Sequence, residues 1–240
     1  MLSACISQNQ VPRSEQDPPF RIVNSRHTTG ELMSKARARK IKIIIFDVDG
    51  VLTDGTLWFF PTPKHGSREL TAGEAKADAS GYEILTVNTF EGKGFNAHDG
   101  VGMSLARLAG LKLGIITKRV SEAVATRARE LRIHHVFLGQ DNKLVALDQI
   151  LAAEKITAEE VAYVGDDIID LPVMRRCGLA IAVPNARKEV RDESHVVTDH
   201  AGGDGAARDA IEFILRAQGR LEQILEKYLS ESTSPELRGN

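Results

Sequence analysis

The 240-residue chain has only two cysteines, Cys5 and Cys177, far apart and without the spacing of a metal-ligand pair. That scarcity leaves no disulfide framework and points to free thiols in a reducing, cytoplasmic setting. Long apolar runs are also missing. None approaches the roughly 18 residues of a membrane-spanning helix, and the polar N-terminus lacks the apolar centre of a signal peptide. Nor does charge of one sign dominate. Lys plus Arg number 31 and Asp plus Glu 33, a formal net charge of −2, so nothing calls for nucleic acid or an anionic membrane surface as a partner. A hydrophobic fraction of 42% and a charged fraction of 27% are those of a soluble globular protein. The length suits one domain with decorations.

What the chain does have begins at Ile41. The apolar run Ile41-Lys-Ile-Ile-Ile-Phe46 ends abruptly in Asp47, Asp49 and Gly50. Such a run reads as a strand buried on both faces of a parallel sheet. It delivers two carboxylates to the carboxyl edge of that sheet, where ligands bind in open α/β folds. Residues two apart on a strand point the same way, but residues in a turn need not. Gly50 and the following Val51 to Gly55 let the chain leave the strand, so that both carboxylates can serve one site.

Residues 1–30 carry no periodicity and are expected to be disordered or loosely attached. The main domain is expected over residues 31–218. It opens with a helix from Glu31 to Lys40, followed by strands near 42–46, 112–116, 135–138, 161–164, 179–183 and 195–197. Helical patterns lie near 101–109, 120–131, 142–154, 168–176 and 205–217. Strand–helix alternation with short loops predicts right-handed crossovers and a parallel sheet flanked by helices. Residues 55–97 break the alternation. Thr56–Phe60 and Tyr82–Phe90 read as a β-hairpin flap with a polar excursion from Pro61 to Ser80, too small for a separate cap domain. Residues 219–229 form an amphipathic helix, and the polar remainder to residue 240 is expected to be a mobile tail.

Three further segments reach the same sheet edge. The strand at 112–116 runs into Thr117-Lys118-Arg119, Lys143 opens the helix after the strand at 135–138, and Val161–Gly165 runs into Asp166, Asp167 and Asp170. So many carboxylates cannot ionise together without a cation. Oxygen donors without Cys or paired His favour Mg²⁺ over zinc. The hydroxyl and the cations would then hold phosphate oxygens, and one carboxylate can act as nucleophile while another serves as acid and base.

Asp47-Val-Asp49-Gly-Val-Leu-Thr-Asp54, Ile115-Ile-Thr117, Lys143 and Gly165-Asp166-Asp167 resemble, in order and spacing, the four motifs of the haloacid dehalogenase superfamily. The resemblance implies a Rossmann-like α/β fold, with Asp47 as nucleophile and Asp49 as general acid and base. It implies that Thr117 and Lys143 bind the phosphoryl group. Mg²⁺ would be held by the Asp47 carboxylate, the Asp49 backbone carbonyl and Asp166, with Asp167 and Asp170 in support. Over about residues 31–218 the chain is similar to the 3-deoxy-D-manno-octulosonate 8-phosphate phosphatases. That likeness rests on Phe95–Gly100, Val161–Met174 and Gly202–Arg208. It implies a capless enzyme of lipopolysaccharide precursor synthesis that works through an aspartyl-phosphate. It also implies a homotetramer in which a neighbour covers each site, and substrate contacts from Asn96, His98, Asp99, Gly100, Arg119, Arg127 and Lys143. Lys118 stands where that family usually has Gly, His98 where many members have Arg, and the flap is longer than usual. These departures keep open a nine-carbon ulosonic acid 9-phosphate, or a broader range of sugar phosphates, as substrate. A non-catalytic regulatory module is the other reading, and the presence of Asp47, Asp49, Thr117, Lys143 and Asp166 together speaks against it.

Overall fold

A computed structural model describes residues 20–21, 29–62 and 88–233. The first 19 residues with Cys5, the excursion after Thr62, the expected strand residues 82–87 and the tail after residue 233 lie outside the described residues. The elements run β1 (Phe20–Arg21), α1 (Thr29–Ala38), β2 (Ile43–Phe46), β3 (Trp58–Thr62), β4 (Asn88–Gly92), α2 (Ala97–Leu108) and β5 (Lys112–Ile116). They continue with α3 (Glu122–Glu130), β6 (His135–Phe137), α4 (Lys143–Glu154), β7 (Val161–Gly165), α5 (Leu171–Arg176) and β8 (Leu179–Ala182). The last are α6 (Lys188–Glu193), β9 (Val196–Thr198), α7 (Ala206–Ala217) and α8 (Leu221–Thr233).

Six strands form the parallel sheet that the alternation predicts, in the order β9-β8-β7-β2-β5-β6, with β1 added antiparallel on β9. The sequence offers no signal for β1 within the stretch expected to be loose. From β2 the chain builds outward through β5 and β6, then crosses back to build β7, β8 and β9 on the other side. The order therefore reverses beside β2, which is where the carboxyl ends of neighbouring strands diverge and open a crevice. Phe46 pairs with Ile115 on one side and Val164 on the other. This register brings Asp47, Thr117 and Asp166 to one level at the sheet edge.

Helices on both faces explain why β2, β7 and β8 are apolar at every position. Ile43, Ile44, Ile45 and Phe46 are all fully withdrawn from water, and each such side chain contributes roughly 1.5–3 kcal/mol of transfer free energy. On one face α7 buries Ile211, Phe213, Ile214 and Leu215 and packs against α1 and α2. The C-terminal helix α8 adds Leu221 and Ile224 to that layer. β3 and β4 make a separate antiparallel hairpin, with Phe60 opposite Phe90 and their rings stacked 5.0 Å apart. Trp58, Phe59, Phe60 and Phe90 are all exposed on it.

Candidate active site

The β2 strand delivers Asp47 to the floor of a cleft of about 600 Å³, lined by Asp47, Asp49, Thr117, Lys118, Arg119, Val120, Asp166, Asp167 and Ile169. A larger concavity, about 1180 Å³, lies at the opposite sheet edge among Lys42, Lys112, Lys155, Arg220 and the turn at Glu159 and Glu160. Its carboxylates Glu154 and Glu160 are paired with His135 and Lys42 and do not converge as Asp47, Asp166 and Asp170 do, so the chemistry is assigned to the smaller cleft.

After Asp47 the chain turns at once. The Val48 carbonyl accepts from the N–H groups of Val51, Leu52 and Thr53, and Val48 itself is buried. Gly50 has φ +92°, and a Cβ there would lie 2.1 Å from Asp166 Oδ2. Only glycine lets this turn approach the β7 loop so closely. From the other side Asn185 clamps the turn: its Nδ2 donates to the Gly50 carbonyl at 2.9 Å and its Oδ1 accepts from Gly202 N at 2.8 Å.

Lys143, the first residue of α4, is buried with its ammonium 2.8 Å from Asp47 Oδ1 and 2.7 Å from Asp170 Oδ1. It also donates to the Tyr163 hydroxyl at 3.2 Å, which in turn donates to Asp170 Oδ1 at 2.7 Å. Asp170 Oδ2 accepts from the backbone N–H of Asp166 and of Asp167. Asp47, Asp166 and Asp170 place carboxylate oxygens within 4.8 Å of one another. The Asp170 oxygens are already occupied by these four donors, so it shapes the loop and holds Lys143 in place. Asp47 and Asp166 remain to face a ligand, and Asp166 Oδ1 is buried without a partner.

Burial, and after it the charge of Asp170, raises Asp47 to about 6 despite the opposing Lys143. Burial, then the charges of Asp47, Asp170 and Asp167, raises Asp166 to about 8. These carboxylates are held in a place where ionisation is costly, and a hard divalent cation removes that cost. An oxygen-only donor set with an orphaned buried oxygen fits such an ion. Asp167, expected as a metal ligand, is exposed and its Oδ1 accepts from Ile168 N at 2.7 Å, capping the short turn Ile168–Asp170. Thr117 is buried and its Oγ1 accepts from Arg119 N at 3.3 Å, leaving the hydroxyl proton to donate.

Of the other residues expected to contact substrate, Arg119 alone lines this cleft. Asn96 caps α2 by accepting from His98 N and donates to the Gly203 carbonyl. His98 is exposed. Asp99 is buried and its Oδ1 accepts from Arg208 N at 3.0 Å, in the first turn of α7. Burial raises its carboxyl to about 6, while backbone bonds from Arg208, Ala207 and Gly205 hold it down. Asp99 thus caps α7 and does not line the cleft. Gly100 is buried beside Arg127, whose guanidinium packs over Phe95 and pairs with Glu130.

Residues 25–209 match the model of the haloacid dehalogenase-like hydrolases. The chain belongs to that family. This hydrolase is 37% identical over 188 residues to the 3-deoxy-D-manno-octulosonate 8-phosphate phosphatase of Escherichia coli K12, covering 78% of this chain and 86% of that one. Its fold is similar to a probable YrbI-family phosphatase from Pseudomonas syringae, with a TM-score of 0.68, 41% identity, and 82% and 98% of the two chains covered. It is also similar to the 3-deoxy-D-manno-octulosonate 8-phosphate phosphatase of Moraxella catarrhalis, solved with magnesium, phosphate and the sugar acid. There the TM-score is 0.67 and the identity 33%, over 84% and 99% of the chains.

The site residues that the sequence does not single out are Glu91, Lys93, Tyr163 and Asn185. Only Glu91 and Lys93 carried a readable signal, two charges at alternating positions where the flap strand ends.

Proposed function

We propose that this haloacid dehalogenase-like hydrolase is a Mg²⁺-dependent phosphatase that hydrolyses 3-deoxy-D-manno-octulosonate 8-phosphate to the sugar acid and phosphate. The observation that carries the reading is the meeting of Asp47, Asp166, Thr117 and Lys143 around one cleft at the β2 edge. The names of its relatives supply the substrate.

Asp47 and Asp166 would hold Mg²⁺ together with the Asp49 backbone carbonyl. The ion, when bound, neutralises phosphate oxygens and the two crowded carboxylates. In this reading Asp47 attacks phosphorus and forms an aspartyl-phosphate as the P–O bond to the sugar breaks. Asp49 gives its proton to the departing alcohol and then takes one from the water that cleaves the acyl-phosphate. Thr117 donates to a phosphoryl oxygen, and Lys143 places its charge where negative charge builds. Arg119 offers a planar cation to the sugar carboxylate.

The reading includes a cytoplasmic homotetramer, supported by the exposed aromatic face of the flap. His98 and the long flap weaken the carry-over of substrate from these relatives and make a nine-carbon acid sugar 9-phosphate, or a broader range of sugar phosphates, the second candidate. Phosphate release with Mg²⁺ across eight- and nine-carbon acid sugar phosphates and neutral sugar phosphates tests the assignment. A preference of about tenfold for the octulosonate ester, or about 1.4 kcal/mol in transition-state binding, is expected, with all activity lost in Asp47→Asn. An active Asp47→Asn enzyme would remove Asp47 as nucleophile.

A further inference from the structure

Four charges close a ring at the mouth of the cleft. Asp49 Oδ1 meets Lys93 Nζ, and Asp49 Oδ2 lies 3.7 Å from Arg119 Nε. Glu91 completes the circuit, with Oε1 3.0 Å from Lys93 Nζ and Oε2 2.7 Å from Arg119 Nη2. Signs alternate around it. Glu91 is the penultimate residue of the flap strand β4 and Lys93 follows two residues later, the spacing that puts both side chains on one face of an extended chain. The Lys93 side chain has no solvent exposure at all. A lysine so enclosed is held by its two carboxylate partners and has no water to fall back on. Arg119 is braced as well, with Phe59 of β3 beneath its guanidinium at 6.0 Å.

A general acid must sit within hydrogen-bond reach of the oxygen it protonates, and a free aspartate side chain samples several rotamers. We infer that Lys93, held by Glu91, is a positioning residue that fixes the Asp49 carboxyl in the cleft and makes acid–base chemistry depend on a seated flap. This rests on the phosphatase reading above. The flap then contributes more than a wall, because it holds one of the two reacting carboxyl groups in register with the other.

The consequence is a dependence on the leaving group. A sugar alkoxide leaves only with a proton, so its ester needs Asp49 in place. p-Nitrophenolate is a stable anion and leaves without one. The value of kcat/KM includes steps only up to release of the first product, so the later activation of water by Asp49 does not enter.

The experiment compares kcat/KM, with Mg²⁺, for the best sugar phosphate of the panel and for p-nitrophenyl phosphate in wild type, Lys93→Met, Lys93→Arg and Glu91→Gln. Since general acid catalysis supplies about 10²–10⁴-fold, the sugar-to-aryl ratio should fall by roughly tenfold or more in Lys93→Met. It should recover in Lys93→Arg and fall less steeply in Glu91→Gln. A ratio within about twofold of wild type in Lys93→Met, even with both activities reduced, means a purely structural lysine and overturns the inference. Should Lys93→Met fail to fold, the Glu91→Gln ratio decides: a fall of about threefold or more supports positioning and an unchanged ratio refutes it. The phosphatase reading fails differently, by absence of activity in wild type or its survival in Asp47→Asn.

Discussion

Replacing Asp166 by Asn should stabilise the metal-free protein while abolishing its response to Mg²⁺. Burial first, and the charges of Asp47, Asp170 and Asp167 after it, place the folded-state pKa of Asp166 at about 8, above the ordinary 3.8. The folded chain therefore keeps a proton that the unfolded chain releases, and stability falls as pH rises from about 4 to about 8. Each unit corresponds to about 1.4 kcal/mol, and with solvent screening of this partly exposed group the penalty at pH 8 is on the order of 2–4 kcal/mol. Asn carries no charge to bury there, and its amide can donate to the carboxylates around it. In chelator at pH 8, Asp166→Asn should melt roughly 5–15 °C above wild type. Near pH 3 the two should melt almost together, because wild-type Asp166 is then mostly protonated both folded and unfolded. Mg²⁺ should raise the wild-type Tm, by about 2.7 kcal/mol of stability at a hundred times its Kd, and leave the variant where it was. Asp170→Asn is the control from the same loop. Its oxygens receive Lys143, Tyr163 and two backbone N–H groups, so an amide nitrogen must face a donor in either orientation. It should cost about 3–5 kcal/mol at any pH near neutrality. Thermal melts in chelator at both pH values measure all of this. A metal-free Asp166→Asn that melts below wild type at pH 8, or a difference that ignores pH, would refute the reasoning.

Gly50→Ala places a methyl 2.1 Å from Asp166 Oδ2 at φ +92°. It should push the two metal-facing loops apart, raising the Mg²⁺ concentration for half-maximal phosphate release by at least about tenfold, as loss of a supporting contact at a metal site does; an unchanged Mg²⁺ titration would contradict the close approach. Asp99→Ala removes the cap of α7 and should cost about 1–2 kcal/mol, read as a lower Tm, with KM for the preferred sugar phosphate unaltered. A raised KM at unaltered Tm would return Asp99 to the substrate.

The sheet was legible because strands buried on both faces write themselves as unbroken apolar runs, and β2, β5, β7 and β8 all do. The carboxylates that line the cleft, Asp47, Asp49 and Asp166, were legible for the same reason, standing where such runs stop. β1 was not, because Phe20 and Arg21 become a strand only by pairing with Thr198 and Val197. The flap shows a subtler failure. Alternation suggested a strand ending at Phe90, yet the pairing of Trp58 with Gly92 carries β4 further, and it is this extension that brings Glu91 and Lys93 to the cleft. The directions of Asp99 and Asn185 are set by α7 and by Gly50, over a hundred residues away in each case. Local spacing holds no record of such partners. Asp167 and Asp170 were read as joint support for the metal; each also accepts backbone N–H bonds, from Ile168 in the one case and from Asp166 and Asp167 in the other, which local spacing does not show.

The position of β2 bears on which motions this enzyme permits itself. It lies between β5 and β7, its four residues bonded on both sides and covered on both faces. Its amide hydrogens should exchange only through global unfolding, among the slowest in the chain. Asp47, the nucleophile of the proposed mechanism, is thus anchored to the most rigid part of the molecule. Asp49 and Arg119 are tied to a two-stranded ribbon that should open far more readily. The backbone of Asp49 stays with the rigid turn after β2, while the partner that orients its side chain, Lys93, belongs to the ribbon.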